Sequence, residues 1–268
     1  MSELKAVVFD WAGTVVDFGS RAPMGAFVEV FKRFGIAISI AEARKPMGLP
    51  KWDHIAALLA DPGIAARWKA AHGVVPGKAE TDRIYDVFVP LNAEVVTDYA
   101  DMIPGAVEAV AACRARGLKI GSTTGYTREI MARLTLVAEA AGYAPDSLVC
   151  AGDLAAGRPT PLMMWKTFLA LDLQHPAWTV VKVDDTEPGI AEGLAAGTWT
   201  VGVALSGNAL GLSLEEFEAM PPLDIAALED RAYAELTRAG AHYVIDSIED
   251  LIPVLDDIEG RLKRGERP

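Results

Sequence analysis

Residues 5–17 read KAVVFDWAGTVVD, and the fold turns on this stretch. Residues 6–9 are uniformly apolar around two β-branched valines, the pattern of a strand buried on both faces of a parallel sheet. The run stops at Asp10, and Gly13-Thr14 then asks for a turn. A carboxylate there stands beyond the C-terminal end of a strand, where open α/β sheets place their ligands. Alone, such an aspartate is more often a turn cap than a chemical group, so the rest of the chain decides its meaning.

From residue 20 to about 99 the pattern is helical, with helices expected over 25–34, 40–44, 51–60, 64–72 and 78–96 and prolines punctuating them. From residue 105 strands and helices alternate. Strands are expected over 118–122, 147–150, 179–183, 199–205 and 242–245. The intervening helices stop at glycines such as Gly117 and Gly197, and Thr160-Pro161 supplies an N-cap and an N1 proline. Alternation predicts a doubly wound parallel sheet, an α/β core of residues 1–19 and 100–268 with a helical domain, 20–99, inserted after the first strand. Residues 18–20 and 101–105 are the expected linkers.

Composition narrows the function classes. A net charge of −12 argues against nucleic acid or an anionic membrane surface as partner, but not against a small anionic substrate. No apolar run approaches the ~20 residues that cross a bilayer. The N-terminus lacks the pattern of a signal peptide. Two cysteines, Cys113 and Cys150, make neither a metal motif nor a disulfide framework, and a reducing cytoplasm is the simplest compartment.

Right-handed crossovers gather the strand ends on one edge, so Asp10, Thr124-Gly125, the Arg158 loop and Asp184-Asp185 should converge. Singly, the threonine reads as turn chemistry and the arginine as a surface residue. The adjacent carboxylates are harder to dismiss, because they repel unless a cation or donor offsets them. Mg²⁺ takes one or two protein carboxylates together with substrate oxygens. Together these residues make a phosphoryl-transfer site with Asp10 as nucleophile, Thr124 as hydroxyl donor, Arg158 as cation and Asp185 as metal acid. In the stretch EARKPMGLPKWDHI, Lys51 opens a helix after Pro50 and His54 shares its face. A helix N-terminus and burial both favour the free amine, although a solvated lysine is the commoner fate.

FDWAGTVVD resembles the first motif of the haloacid dehalogenase superfamily, and ARKPMGLPK followed by DH is similar to the cap motif of its phosphonatase family. The resemblance covers essentially the whole chain. It implies a mobile cap over the core, a lysine at Lys51 that forms an imine with a substrate carbonyl, and a pocket including Met47, His54 and Tyr126. It also implies Ser20 near the phosphonate, where some members carry cysteine. The expected reaction is hydrolysis of phosphonoacetaldehyde to acetaldehyde and phosphate with Mg²⁺, in a homodimer by family analogy.

Three positions depart from related patterns. Many superfamily members place lysine where Arg158 stands, but an arginine fork grips a phosphonate as well. Superfamily phosphatases carry an acid two residues after the nucleophile; Ala12 cannot donate a proton, and only its backbone carbonyl remains for a metal. The adjacent pair Asp184-Asp185, with Gly189 beyond, replaces a Gly-Asp form, so Asp184 is expected to support Asp185. The rival readings are a phosphatase or phosphomutase acting on a small phosphate ester, and a catalytically silent α/β binding protein.

Overall fold

The computed structural model describes residues 3–268; Met1 and Ser2, part of the expected core segment 1–19, lie outside the described residues. β1 (Ala6–Phe9) leads into an inserted helical layer of α1 (Ala22–Arg33), α2 (Ile40–Arg44), α3 (Lys51–Ala60), α4 (Pro62–His72) and α5 (Lys78–Val95). The alternating part follows as α6 (Ala106–Ala115), β2 (Lys119–Thr127), α7 (Arg128–Ala140), β3 (Ser147–Ala151), α8 (Leu162–Ala170), β4 (Val180–Asp184), α9 (Glu187–Ala196) and β5 (Trp199–Val203). α10 (Leu214–Glu218), α11 (Pro222–Arg238), β6 (Tyr243–Ile245) and α12 (Leu251–Lys263) complete it.

The strands form one parallel sheet in the order β3-β2-β1-β4-β5-β6. β1 is central, with Phe9 beside Ser122 on one side and Val183 on the other. The chain builds outward from β1 through β2 and β3, then returns to place β4 on its opposite flank. Such a reversal leaves a crevice beyond the strand ends. Asp10 and the Asp184-Asp185 pair stand at that crevice.

Apolar residues on one sheet face, among them Val7, Phe9, Val183 and Val201, pack with Val110, Leu134 and Leu255 from the covering helices. The inserted helices bury a cluster of their own, built on Phe27, Phe31, Ile55, Trp68 and Phe88. Phe27 and Phe88 stack with ring centroids 4.2 Å apart, tying α1 to α5. Where the layer joins the sheet, the two connecting segments pair: the Asp17 N–H donates to Asp101 O at 3.0 Å and the Ile103 N–H to Val15 O at 3.0 Å.

Several local expectations needed correction. β2 does not end at Ser122 but runs through Thr127, because β3 pairs with it from Gly121 to Thr127 across a register shift. Thr160 does not cap α8: its hydroxyl donates to Gly157 O at 2.7 Å, and Pro161 takes the cap position. Pro23 sits inside the first turn of α1, which begins at Ala22, since a first-turn N–H needs no helical partner. Pro90, by contrast, lies within α5 as the helix expected over 78–96 required.

Candidate active site

Directly after β1, the Asp10 N–H donates to Val183 O at 3.0 Å, so sheet pairing sets the first residue of the loop. The loop then folds back on Trp11, whose carbonyl accepts the N–H groups of Thr14, Val15 and Val16. Arg158 enters from the segment between β3 and α8. Its Nη2 donates to Asp10 Oδ1 at 2.6 Å and to Thr123 O at 2.7 Å, and lies 3.2 Å from Asp184 Oδ2. Its Nε donates to Glu192 Oε2 at 3.2 Å.

A second buried cation stands behind the first. Lys182, on β4, reaches Asp184 Oδ2 at 2.9 Å and Thr123 Oγ1 at 2.9 Å. A charge buried alone in an apolar strand is prohibitive, so the Lys182, Arg158, Asp184 and Glu192 set must persist as a unit. Burial opposes the arginine's charge, but Asp10, Asp184 and Glu192 outweigh it and hold the guanidinium charged.

The two adjacent acids differ sharply. Asp184 spends both oxygens within the protein: Oδ1 accepts from Thr186 N and Oγ1 at 3.1 and 2.7 Å, while Oδ2 faces Arg158 and Lys182. Burial resists its ionisation, yet those two cations hold its carboxyl below the usual range. Asp185 accepts the Asn208 N–H at 2.7 Å on Oδ2, and only a long 3.4 Å bond from Thr14 on Oδ1. Burial, then Asp10 and Asp184, push its carboxyl well above the ordinary value. One oxygen from each of Asp10, Asp184 and Asp185 falls within 4.8 Å of the others. An oxygen-only set with a surplus of negative charge suits a hard divalent cation.

The inserted layer closes the site from above. Lys51 is the first residue of α3 after Pro50 and is 3% exposed. Its Nζ lies 4.9 Å from the Tyr126 ring centroid, 5.7 Å from that of Phe27 and 4.0 Å from Met47 Sδ. Among the described residues no carboxylate pairs with it. Burial, only partly offset by the charge of Asp10, lowers its amine to about 8. Gly48 makes this approach possible: at φ +88° it presses on the core so closely that a Cβ would fall 2.3 Å from Thr186 Oγ1. Only glycine combines that backbone with that contact.

Asp10, Ala12, Ser20, Met47, Lys51, Thr124, Gly125, Tyr126 and Arg158 therefore line one cavity. Asp184 and Asp185 stand beneath it. Thr124 Oγ1 accepts the Tyr126 N–H at 3.1 Å, which leaves its proton to donate. His54 does not line the cavity. It is wholly buried, stacked 4.0 Å from Phe27, and donates from Nε2 to Ala43 O at 2.7 Å. Burial and then Lys51 hold it neutral, so its Nδ1 faces the interior as a bare acceptor.

Sequence reasoning missed Thr186, Pro23 and Gly48 in the cavity wall, and Lys182, Glu192 and Thr123 beneath it. Lys182 carried a readable signal, a lysine inside the apolar run VVKVDD. The remainder are ordinary residues until the fold brings them together.

Fold and site define a haloacid dehalogenase-like hydrolase: a model of that family matches residues 4–197, and the chain belongs to it. Phosphonoacetaldehyde hydrolase of Paraburkholderia phytofirmans is 54% identical over 268 residues, 100% of both chains. That of Klebsiella pneumoniae is 49% identical over 270 residues, again the whole of both. A crystal structure of a phosphonoacetaldehyde hydrolase-like protein from Oleispira antarctica superposes with TM-score 0.97 at 44% identity, covering 99% of this chain and 96% of that one. Within the hydrolases the chain thus belongs to the phosphonoacetaldehyde hydrolase family.

Proposed function

We propose that this chain hydrolyses the carbon–phosphorus bond of phosphonoacetaldehyde, with Lys51 and Asp10 as its two covalent groups. The observation that carries the reading is an unpaired, buried amine held at about 8 in the wall of the cavity that also contains Asp10. The free amine adds to the aldehyde and loses water to give a protonated imine. The C–P bonding pair then flows towards the imine nitrogen, leaving an enamine, while an Asp10 oxygen takes the phosphoryl group. Water hydrolyses the aspartyl phosphate to phosphate. The enamine gains a proton on carbon, and a second water releases acetaldehyde and the amine. The imine step returns one water, so the net consumption is one.

Arg158 and Thr124 orient and neutralise the phosphoryl oxygens. Asp10, Asp185 and the Ala12 carbonyl would hold Mg²⁺, with Asp184 supporting from behind; when bound, the ion supplies charge neutralisation at the phosphoryl group. Met47, Tyr126, Ser20 and Gly125 shape the pocket, and His54 backs Lys51. The helices of 20–99 serve as a cap on the core of 1–19 and 100–268. A phosphate-ester hydrolase is disfavoured because Ala12 offers no proton to an alkoxide, whereas an enamine needs none. Among the described residues no helix is long and apolar enough to cross a membrane. A cytoplasmic homodimer extends the same reading by family analogy. Phosphate release from phosphonoacetaldehyde but not from p-nitrophenyl phosphate supports the proposal; the reverse preference overturns it.

A further inference from the structure

The reaction uses Lys51 from the cap and Asp10 and Asp185 from the core, so something must hold those two bodies in register. Arg44 ends α2 seven residues before Lys51. Its side chain does not line the cavity and is half-buried against the core, with Nη1 3.5 Å from the carbonyl of Ser20 in the cavity wall. Its Nη1 donates to Gly19 O at 2.8 Å, in the segment joining cap to core, and to Asn208 Oδ1 and O at 3.0 and 3.2 Å. Its Nη2 donates to Gly211 O at 3.4 Å. Gly211, at φ +71°, leaves the space the guanidinium occupies: a Cβ there would lie 2.7 Å from Arg44 Cζ.

Asn208 faces both ways. Its side-chain oxygen and carbonyl take the arginine, while its own N–H donates to Asp185 Oδ2 at 2.7 Å. A continuous chain of bonds therefore runs from a cap arginine through one core loop to the carboxylate beneath the cavity. The acceptors that Arg44 meets are all neutral, which suits a contact that must form and release. A buried ion pair would be far harder to open. Four residues after Arg44, Gly48 rests on Thr186. Two anchors thus precede Lys51 within seven residues, and Arg44 is the polar one.

We infer that Arg44 is a positioning residue: its guanidinium latches the cap to the loop around Asn208 and sets Lys51 and Asp185 together. The inference rests on the reading of Lys51 as the imine-forming residue. Loss of the latch misplaces the amine relative to the phosphoryl acceptor, and small misplacements are costly in a reaction that depends on alignment. Because Arg44 and Asn208 act as one unit, their effects should not add.

The test compares the full chain with Arg44→Met, Arg44→Lys, Asn208→Ala and Arg44→Met/Asn208→Ala. Steady-state turnover of phosphonoacetaldehyde is one readout. Borohydride trapping of the substrate on Lys51 in chelator, which needs no metal, is another, with Mg²⁺ binding by calorimetry and hydrogen exchange over 45–51 and 206–211 as the others. Arg44→Met should lose about 10- to 100-fold in kcat/KM, trap more slowly, bind Mg²⁺ more weakly, and lose exchange protection in both segments. Arg44→Lys should recover part of each loss. Asn208→Ala should lose less, and the double variant no more than Arg44→Met alone. Wild-type turnover and protection in Arg44→Met, or full additivity in the double variant, overturns the inference. If the unmodified protein yields no adduct on Lys51, the imine reading has failed, and exchange alone judges the latch: protection lost in Arg44→Met sustains it, and protection retained overturns it.

Discussion

Lys51, at the start of α3 in the inserted helices, holds its amine 4.9 Å over the ring of Tyr126, a residue of the central sheet. Two bodies with separate hydrophobic clusters thus meet at one amine, and aromatic faces rather than a counter-ion receive it. A ring face favours an ammonium only weakly, whereas a carboxylate would trap the charged form.

The lysine should therefore cost stability while it serves chemistry. Its amine is held at about 8 against 10.5 for a free side chain, so the folded form gives up its proton first. Below about pH 8 both forms are protonated and the burial cost is complete; between 8 and 10.5 it fades as only the unfolded chain stays charged. Lys51→Met should raise unfolding stability by roughly 3 kcal/mol at pH 7, and the advantage should shrink by pH 10. Urea unfolding at the two pH values checks this. The kcat/KM of the unmodified protein should fall as pH drops below about 8.

The adjacent acids should separate under mutation. Asp184 pairs with both Lys182 and Arg158, so Asp184→Ala leaves two buried cations to share Glu192 and Asp10 and should cost about 3–5 kcal/mol of stability. Asp185 has unused acceptor capacity, and Asp185→Ala should instead raise the Mg²⁺ requirement with a smaller loss of stability. Thermal unfolding and Mg²⁺ titration rank them. The opposite ranking would reverse the assigned roles.

Ala12→Asp should impair C–P cleavage. It adds a negative charge to a cavity that must accept a dianionic phosphonate, and supplies an acid the enamine does not need. We expect roughly a tenfold or greater fall in kcat/KM, by the loss of about 1.4 kcal/mol or more of transition-state stabilisation. Faster turnover of phosphonoacetaldehyde would contradict the mechanism.

Asp17, in the segment between β1 and α1, is a second group whose burial shows up as a pH effect. Burial raises its carboxyl to about 7, against the pull of the Arg21 and Ala22 N–H groups that it accepts at 2.9 Å. Its folded value lies above the free 3.8, so stability is full below pH 3.8 and is lost as pH rises through about 7. Asp17→Asn carries no charge. It should gain on the unmodified protein by roughly 3 kcal/mol between pH 4 and pH 8, although losing an acceptor oxygen makes it the weaker at pH 4. A pH-independent difference in denaturant midpoints would contradict this.

Some of this was legible in the residues alone and some was not. Asp10 and Asp185 could be read because alternating β and α elements leave little choice about where strand ends gather. The helix start at Lys51 could be read because a preceding proline is a local signal, but its place in the pocket came only from the resemblance to the phosphonatase cap motif. The end of β2 could not, since TTGYT has the composition of a turn and becomes strand only through pairing with β3. His54 was expected in the pocket wall beside Lys51; helical spacing gave its face correctly, but not that Phe27 and Ala43 would enclose it. Arg44 and Asn208 lie 164 positions apart, and nothing local marks either one. Contacts between two bodies depend on how they dock, which periodicity does not encode.

The most direct measurement is borohydride reduction during incubation with phosphonoacetaldehyde, followed by peptide mass spectrometry. A reduced two-carbon adduct should form on Lys51 after phosphate has left, with irreversible loss of activity. Lys51→Arg should show neither adduct nor turnover, because a guanidinium remains protonated, yet should fold and bind Mg²⁺ through the core carboxylates. An adduct on another lysine, or full activity in Lys51→Arg, would contradict the account.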